Sequence, residues 1–276
     1  MFKLLHTAIM ALLISGGSAF AAPTQAVSSS HTLAHTAGVS SGTLRLARTQ
    51  ARSELDEDQA EAFRASLRAL YNIEPVAMSA RQPTTEFSAL HAEAHLAQQQ
   101  LAGVVQHIAD QHEITALIPS VKSKSRALDK LNGDLNGEVN RLTDLARTSL
   151  VADDVSSLIA AYQELTHHVE IVSLKNRFKQ PKANGYRDLN LVVRLPVSGH
   201  LAEVQMHLSA ISDVKNGPEH EIYQQIQQLQ RQGDLSEFEL NRITRLQNQS
   251  LQMYANAWHH HLNPAPTLLP EFAQTA

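Results

Sequence analysis

The spacing of apolar residues changes along the chain, and the changes divide it. From Phe87 to Gln111 the stripe Leu90, Ala94, Leu101, Val104 and Ile108 falls at helical spacing. An earlier helix is expected from Glu54 to Tyr71, with acidic residues crowding its first turn, where the helix dipole favours them. Residues 72–85, with Pro75 and Pro83 among them, read as a linker between the two. Beyond Gln111 the period shortens. Ile114–Val121 is short, apolar and strand-like, residues 124–136 are helical, and Leu142–Val151 reads as a second strand. Asp153-Asp154 can cap a helix that carries Val155, Leu158, Ile159, Tyr162 and Leu165 on one face. His168–Leu174 and Tyr186–Leu195 are further strands, and Pro196–Gly199 turns the chain into the strand Leu201–Leu208. The remainder is helical. Ser236 and Glu239 form a capping box, with Leu235 and Leu240 spaced as its hydrophobic staple, and the final helix extends to Trp258. Helices interleaved with a mixed sheet, and flanked by helices at both ends, predict an α/β (α+β) domain.

Five segments follow from this reading. Residues 1–21 have the form of a signal peptide: Lys3, an apolar stretch from Ala8 to Ile14, and the small-x-small sequence Ala19-Phe20-Ala21. The Gly16-Gly17 pair interrupts that stretch too early for a membrane span, so the expectation is export to the periplasm or beyond without stable membrane association. Residues 22–52, rich in Ser, Thr, Ala and Gly, read as a flexible lead. Residues 53–111 form a helical N-terminal region, 112–230 the mixed-sheet domain, and 231–276 a C-terminal helix and tail.

Composition narrows the chemistry. A hydrophobic fraction of 43% is enough for an ordinary core. The net charge of −4 gives no global drive towards nucleic acid. Cysteine is absent, which excludes disulfides and thiolate metal sites.

The predicted hairpin is the most informative segment. Alternation places Leu189, Leu191, Val193 and Leu195 on one face of its first strand, and Ala202, Val204, Met206 and Leu208 on the matching face of its second. The opposite faces then coincide, setting Tyr186, Asp188 and Asn190 beside Glu203, Gln205 and His207. Between Ile171 and His200 there are six cations (Lys175, Arg177, Lys179, Lys182, Arg187 and Arg194) against one acid, Asp188. Such cations next to Glu203 suit a site that grips polyphosphate and reserves a carboxylate for a metal. An ordinary basic surface loop over a solvated sheet face has the same composition.

The run Pro181-Lys182-Ala183-Asn184-Gly185-Tyr186-Arg187-Asp188-Leu189-Asn190 resembles the "PK-x-NGY-x-S-L-H" segment of the RelA/SpoT-type alarmone synthetases. Glu203-Val204-Gln205 resembles their "E-I-Q" strand. Lys122, Arg126 and Lys130 fall at the four-residue spacing of their "K-xxx-S-xxx-K" helix entry, and Leu142-Thr143-Asp144-Leu145-Ala146-Arg147 resembles the strand with the metal-binding aspartate. Order and spacing agree over roughly residues 112–230. Arg126 stands where many members have Ser, Asn190 where they have His, and Arg147 follows the aspartate sooner than the usual arginine. No His-Asp dipeptide occurs, so the resemblance does not extend to the alarmone hydrolase domain.

The resemblance implies a nucleotidyltransferase-like fold that moves pyrophosphate from ATP to the 3′-hydroxyl of a guanine nucleotide. Asp144 and Glu203 would hold Mg²⁺, and Glu203 would assist deprotonation of the hydroxyl. Lys122, Arg126, Lys130 and Arg147 would grip the ATP phosphates. Tyr186 would stack on the acceptor base, with Lys182, Asn190 and Gln205 positioning that nucleotide. Relatives that use adenine nucleotides or the tRNA 3′ end keep those acceptors open, and a catalytically degenerate nucleotide- or protein-binding module on the same fold is the other reading. Outside this set, His91 and His95 at i and i+4, and His259–His261, are expected to be solvated helical histidines. His220 and Tyr223 resemble a His and aromatic pair of the family.

Overall fold

The computed structural model describes residues 41–77 and 79–262. Residues 1–21 and 263–276, with the expected signal peptide and tail, lie outside the described residues. The chain divides into two units after Ala65. The described part of the first is helix α1 (Ser41–Asn72), whose last residues enter the second unit. The helix starts well ahead of the expected Glu54, so residues 41–52, read as part of a flexible lead, are helical, and residues 22–40 of that lead lie outside the described residues. Its first turns contain no proline and many helix formers, so propensity favours a helix there although no apolar stripe announces one.

The second unit contains helix α2 (Phe87–His112), strand β1 (Thr115–Leu117), helix α3 (Lys124–Gly133), strand β2 (Arg147–Ala152), helix α4 (Val155–His168) and strand β3 (Glu170–Asn176). Strands β4 (Leu189–Arg194) and β5 (Leu201–Leu208) and helices α5 (Ser209–Asn216), α6 (Pro218–Gln230) and α7 (Glu237–Leu262) complete it. The five strands form one mixed sheet in the order β1-β2-β5-β4-β3, with β2 and β5 parallel and the other pairs antiparallel. This is the α+β architecture expected. Helices α2 and α4 pack on each other and against β2 and β5. No helix among the described residues is long and apolar enough to cross a membrane.

Local chemistry sets the element ends. The Glu86 carboxylate accepts from Ser88 N and Ala89 N, and Asp154 accepts from Ser157 N, so each satisfies amides that the first turn leaves open. Ser236 and Glu239 exchange bonds as a capping box. The staple does not form. Leu235 packs into the α6–α7 cluster of Ile222, Ile226, Leu229 and Ile243, while Leu240 stays exposed.

The segment expected to be one strand from Leu142 to Val151 is divided. A single 3₁₀ turn (Val139–Arg141) and a loop precede β2, so Asp144 lies on the loop and not on a strand. Leu142 and Leu145 anchor that loop in a cluster with Leu90, Ala94, Ala127 and Leu131. An apolar run bound for a core reads like a strand even when its backbone does not extend. Gln82 ties the same loop to β5: its amide donates to the Leu142 and Leu201 carbonyls and accepts from Leu201 N.

Candidate active site

The hairpin β4–β5 pairs Leu189 with Met206, Leu191 with Val204, and Asn190 with Gln205. The two apolar sets therefore share one face, and every member of the pairs Leu189–Met206 and Leu191–Val204 is fully buried. Each such side chain contributes about 1.5–3 kcal/mol, so a one-residue slip, which would expose the whole set, is strongly opposed. That register fixes the polar face. Asn190 Nδ2 donates to Glu203 Oε1 at 2.8 Å, and Arg147 of β2 lies opposite Glu203 in the parallel ladder. Lys175 of β3 pairs with Asn190 and shares the same face.

Arg147 begins β2 beyond the reach of β1, whose pairing covers Ser149–Val151. Gln98 of α2 stands in for the missing strand: Arg147 N donates to its Oε1 at 2.8 Å, and its Nε2 donates to Arg147 O at 2.9 Å. The backbone is thus held while the buried guanidinium is not. Neither Nε nor Nη1 has a hydrogen-bond partner. Burial lowers the Arg147 pKa, and the Asp144 and Glu203 carboxylates oppose that shift.

Asp144, 2% exposed, accepts through Oδ2 from Lys122 and from Lys130 Nζ at 2.8 Å, while its Oδ1 has no partner. Burial would raise this carboxyl, but Lys130 and Lys122 outweigh it and keep the group ionised. The two lysines, expected to grip phosphate, here neutralise Asp144. Lys122 is placed by backbone contacts on both sides, from its N–H to Leu145 O and from its carbonyl to His91 Nε2. His91 is accordingly buried, contrary to the expectation of a solvated residue; a polar partner makes a core position acceptable to it. Arg126, half-buried on α3, is close enough to act electrostatically on Arg147.

Tyr186 is only 6% exposed. Its hydroxyl donates to Asp188 Oδ2 at 2.8 Å and lies 2.6 Å from His207 Nε2. Arg177 Nη1 grips both Asp188 oxygens, at 2.8 and 3.0 Å. The ring meets Tyr254 of α7 edge-on, and the Lys182 ammonium sits 5.0 Å from its centre. Gly185, at φ +82°, lets the loop turn against α7, where a Cβ would meet Leu251 at 3.1 Å. Burial raises the Tyr186 hydroxyl well above its ordinary pKa, and Asp188 adds to this, so it stays protonated. Gln205 Oε1 accepts from Lys215 Nζ of α5 at 2.8 Å.

The structure thus brings Asp144, Arg147, Glu203 and Asn190 together, with Lys122, Lys130 and Arg126 on one side and Lys182, Tyr186 and Gln205 on the other. An ionised buried carboxylate with an orphaned oxygen fits a hard divalent cation such as Mg²⁺, and orphaned guanidinium donors next to it fit phosphate. A cavity of about 590 Å³ lies at the edge strand β3, lined by Ser173, Lys175, Arg177, Gln180 and residues 75–77, and none of the side chains just named lines it. His220 and Tyr223 turn instead to Gln224 and Gln227 of their own helix.

No protein-family model and no curated protein matches the chain. Among solved structures it is similar to small alarmone synthetase 2 from Bacillus subtilis at 19% identity and a TM-score of 0.50, over 64% of this chain and 94% of that one. The fold is that of a small alarmone synthetase. Small alarmone synthetase 1 from Bacillus subtilis bound to pppGpp superposes at 17% identity and TM-score 0.42, over 65% of this chain and 97% of that one. The Type VI effector Tas1, solved with its immunity protein, is 15% identical at TM-score 0.47, over 63% and 96%. Three neighbours of the site carry no assigned role in the sequence reading: Arg177, which holds Asp188, and Lys215 and His207, which meet at 3.4 Å. The cation run around the hairpin pointed to Arg177. Alternation placed His207 on the polar face, but nothing local brings Lys215 to it.

Proposed function

We propose that this chain is an ATP-dependent nucleotide pyrophosphokinase that transfers pyrophosphate from ATP to the 3′-hydroxyl of a purine, by preference guanine, nucleotide. The observation that carries the reading is the pair of orphaned buried groups, Asp144 Oδ1 and the Arg147 guanidinium, flanking Glu203. Burial of polar atoms without partners costs about 1–3 kcal/mol each, and a ligand that supplies the missing partner recovers it. In the reaction the 3′-oxygen attacks the β-phosphorus of ATP, the bond to the α-phosphate oxygen breaks, and AMP leaves. Glu203 accepts the hydroxyl proton, held towards it by Asn190. Arg147, Arg126, Lys122 and Lys130 bind the triphosphate and stabilise the charge that develops on it. Asp144 and Glu203 would hold Mg²⁺, which supplies charge neutralisation across the phosphate oxygens. Tyr186, Lys182 and Gln205 receive the acceptor, which in the alternative is an adenine nucleotide or the tRNA 3′ end.

The leader-like N-terminus adds a proposal about place. An exported enzyme meets little ATP outside the inner membrane, so its work is that of an effector or toxin acting in a cell it enters. One observation favours the second reading, a nucleotide-binding module without turnover: Asp144 Oδ2 is already engaged by two lysines. A single assay separates the two. The purified chain is given labelled ATP and Mg²⁺ with GDP, GTP, adenine nucleotides or tRNA, and AMP release is matched to a pyrophosphorylated product. Product from the wild type that falls at least 100-fold in Glu203→Gln establishes the enzyme and its acceptor. ATP binding without product from any acceptor establishes the module.

A further inference from the structure

Away from the polyphosphate site, α2 and α4 bring three ligating side chains together where they pack. His107 projects from α2, and Glu164 and His168 lie one turn apart on α4. One donor atom from each lies within 4.8 Å of the other two. His168 Nε2 is 2.8 Å from Glu164 Oε1, and the His107 ring meets the His168 ring edge-on at 5.5 Å between centroids. We propose that His107, Glu164 and His168 form a binding site for one divalent cation of the zinc class, clamping α2 to α4.

The donor set selects the metal. Two imidazoles and a carboxylate are the ligands of zinc, nickel and copper, whereas magnesium and calcium demand oxygen donors. Three protein ligands leave a fourth position for water. In a tetrahedron with bonds of roughly 2.0–2.2 Å, donor atoms stand about 3.3–3.6 Å apart, a spacing that side-chain rotation can reach from the one observed. Binding replaces the hydrogen bond between His168 and Glu164 with two bonds to the metal, and His168 then carries its proton on Nδ1.

The surroundings suit that exchange. Glu164 and His168 are half-buried and His107 is exposed, so packing restrains two of the ligands while the third side stays open to solvent. His167 Nδ1 stands 3.7 Å from Glu164 Oε2, in place to orient the carboxylate from outside. Because the ligands come from two helices distant in sequence, the metal binds only the packed arrangement and must stabilise it.

The test uses the untagged full chain, stripped with chelator and titrated with ZnCl₂ by calorimetry and thermal unfolding. The expected result is one zinc per chain and a raised Tm. Affinity should fall at least tenfold in His107→Ala and His168→Ala, and hold in a variant with His259, His260 and His261 changed to Asn. Magnesium at the same concentration should give no shift through these ligands, read as an equal Tm response in wild type and His107→Ala. Absence of zinc binding would overturn the proposal. So would full affinity in His107→Ala, or loss of binding in the triple variant, which would assign the ion to the histidines at the end of α7. His107→Ala removes an exposed side chain and should fold. Cobalt substitution is the check that needs no variant: visible absorption of a tetrahedral nitrogen–oxygen site is expected, and the weak spectrum of the hydrated ion would count against the site.

Discussion

The Lys182 ammonium rests 5.0 Å from the centre of the Tyr186 ring, on the surface an acceptor base would need. The contact is a cation–π interaction that shields the ring from water. Lys182 itself is half-buried, and its pKa is lowered by burial and by the nearby Arg177 cation, with Asp188 and Glu203 opposing. Such a cation is held uneasily. A nucleotide that stacked on Tyr186 would displace it from the ring and offer it phosphate instead. Lys182→Met should therefore leave ATP binding intact and raise the acceptor KM about tenfold to a hundredfold, the value of one charge-assisted hydrogen bond. Steady-state kinetics with acceptor and ATP varied separately would show it. An unchanged acceptor KM would mean that Lys182 is only a cover.

Tyr186 also anchors the loop that carries it. Its hydroxyl joins Asp188, which is fully buried, to His207, which is 1% exposed. Tyr186→Phe keeps the ring and removes that link. The expected cost is about 1–3 kcal/mol of stability in urea unfolding, because two buried polar groups lose a partner and no water replaces it. The ring remains for stacking, so acceptor affinity should change less than stability does. A variant as stable as wild type would show that Arg177 alone satisfies Asp188.

Arg147 should behave in the opposite way. Its guanidinium is buried with two donors unused, so the free protein bears a desolvation cost that its neighbours Asp144 and Glu203 only partly offset. Arg147→Met removes the cost together with the compensation. The stability of the ligand-free protein should therefore stay within about 1 kcal/mol of wild type. ATP should lose most of its power to raise the Tm, with apparent affinity down at least tenfold. Thermal unfolding with and without ATP reads both effects. If the variant unfolds in the absence of ligand, Arg147 is a structural cation and the phosphate role fails.

The sequence revealed the site wherever local pattern controls geometry. Period-two alternation was enough to put Asn190 beside Glu203, because register in a hairpin with one buried face admits no slip. The Asp154 cap and the Ser236–Glu239 box are likewise chemistry within one turn. What escaped depends on distant segments. Asp144 reads as a strand residue because Leu142 and Leu145 are apolar; their partners include Leu90 and Ala94 of α2, which no local window contains. The burial of Tyr186 owes much to Tyr254, which meets its ring only once α7 has folded across the Asn184–Gly185 loop. The His107–Glu164–His168 group was equally hidden: the spacing of Glu164 and His168 is visible, but its third member comes from another helix.

Lys215 offers a test through pH. Its ammonium donates to Gln205 on the polar face, and its pKa falls to about 8. Burial is the main cause; the cations Lys182 and Arg147 add to it, and Asp188 and Glu203 oppose it. An unfolded lysine keeps its proton to about pH 10.4. Below pH 8 both states are charged, and the folded one bears the full penalty. Between pH 8 and the unfolded value the folded protein releases the proton first, so the unfolded state binds more protons and stability rises with pH. Lys122 and Lys182 are shifted in the same direction and add to the slope. Lys215→Met should make the protein more stable than wild type at pH 7 and give a shallower rise from pH 7 to 9.5, measured by urea unfolding at each pH. Curves for the two proteins that run parallel would show that Lys215 is charged and solvated in the folded state, and the polar face would then be more open to water than its contacts imply.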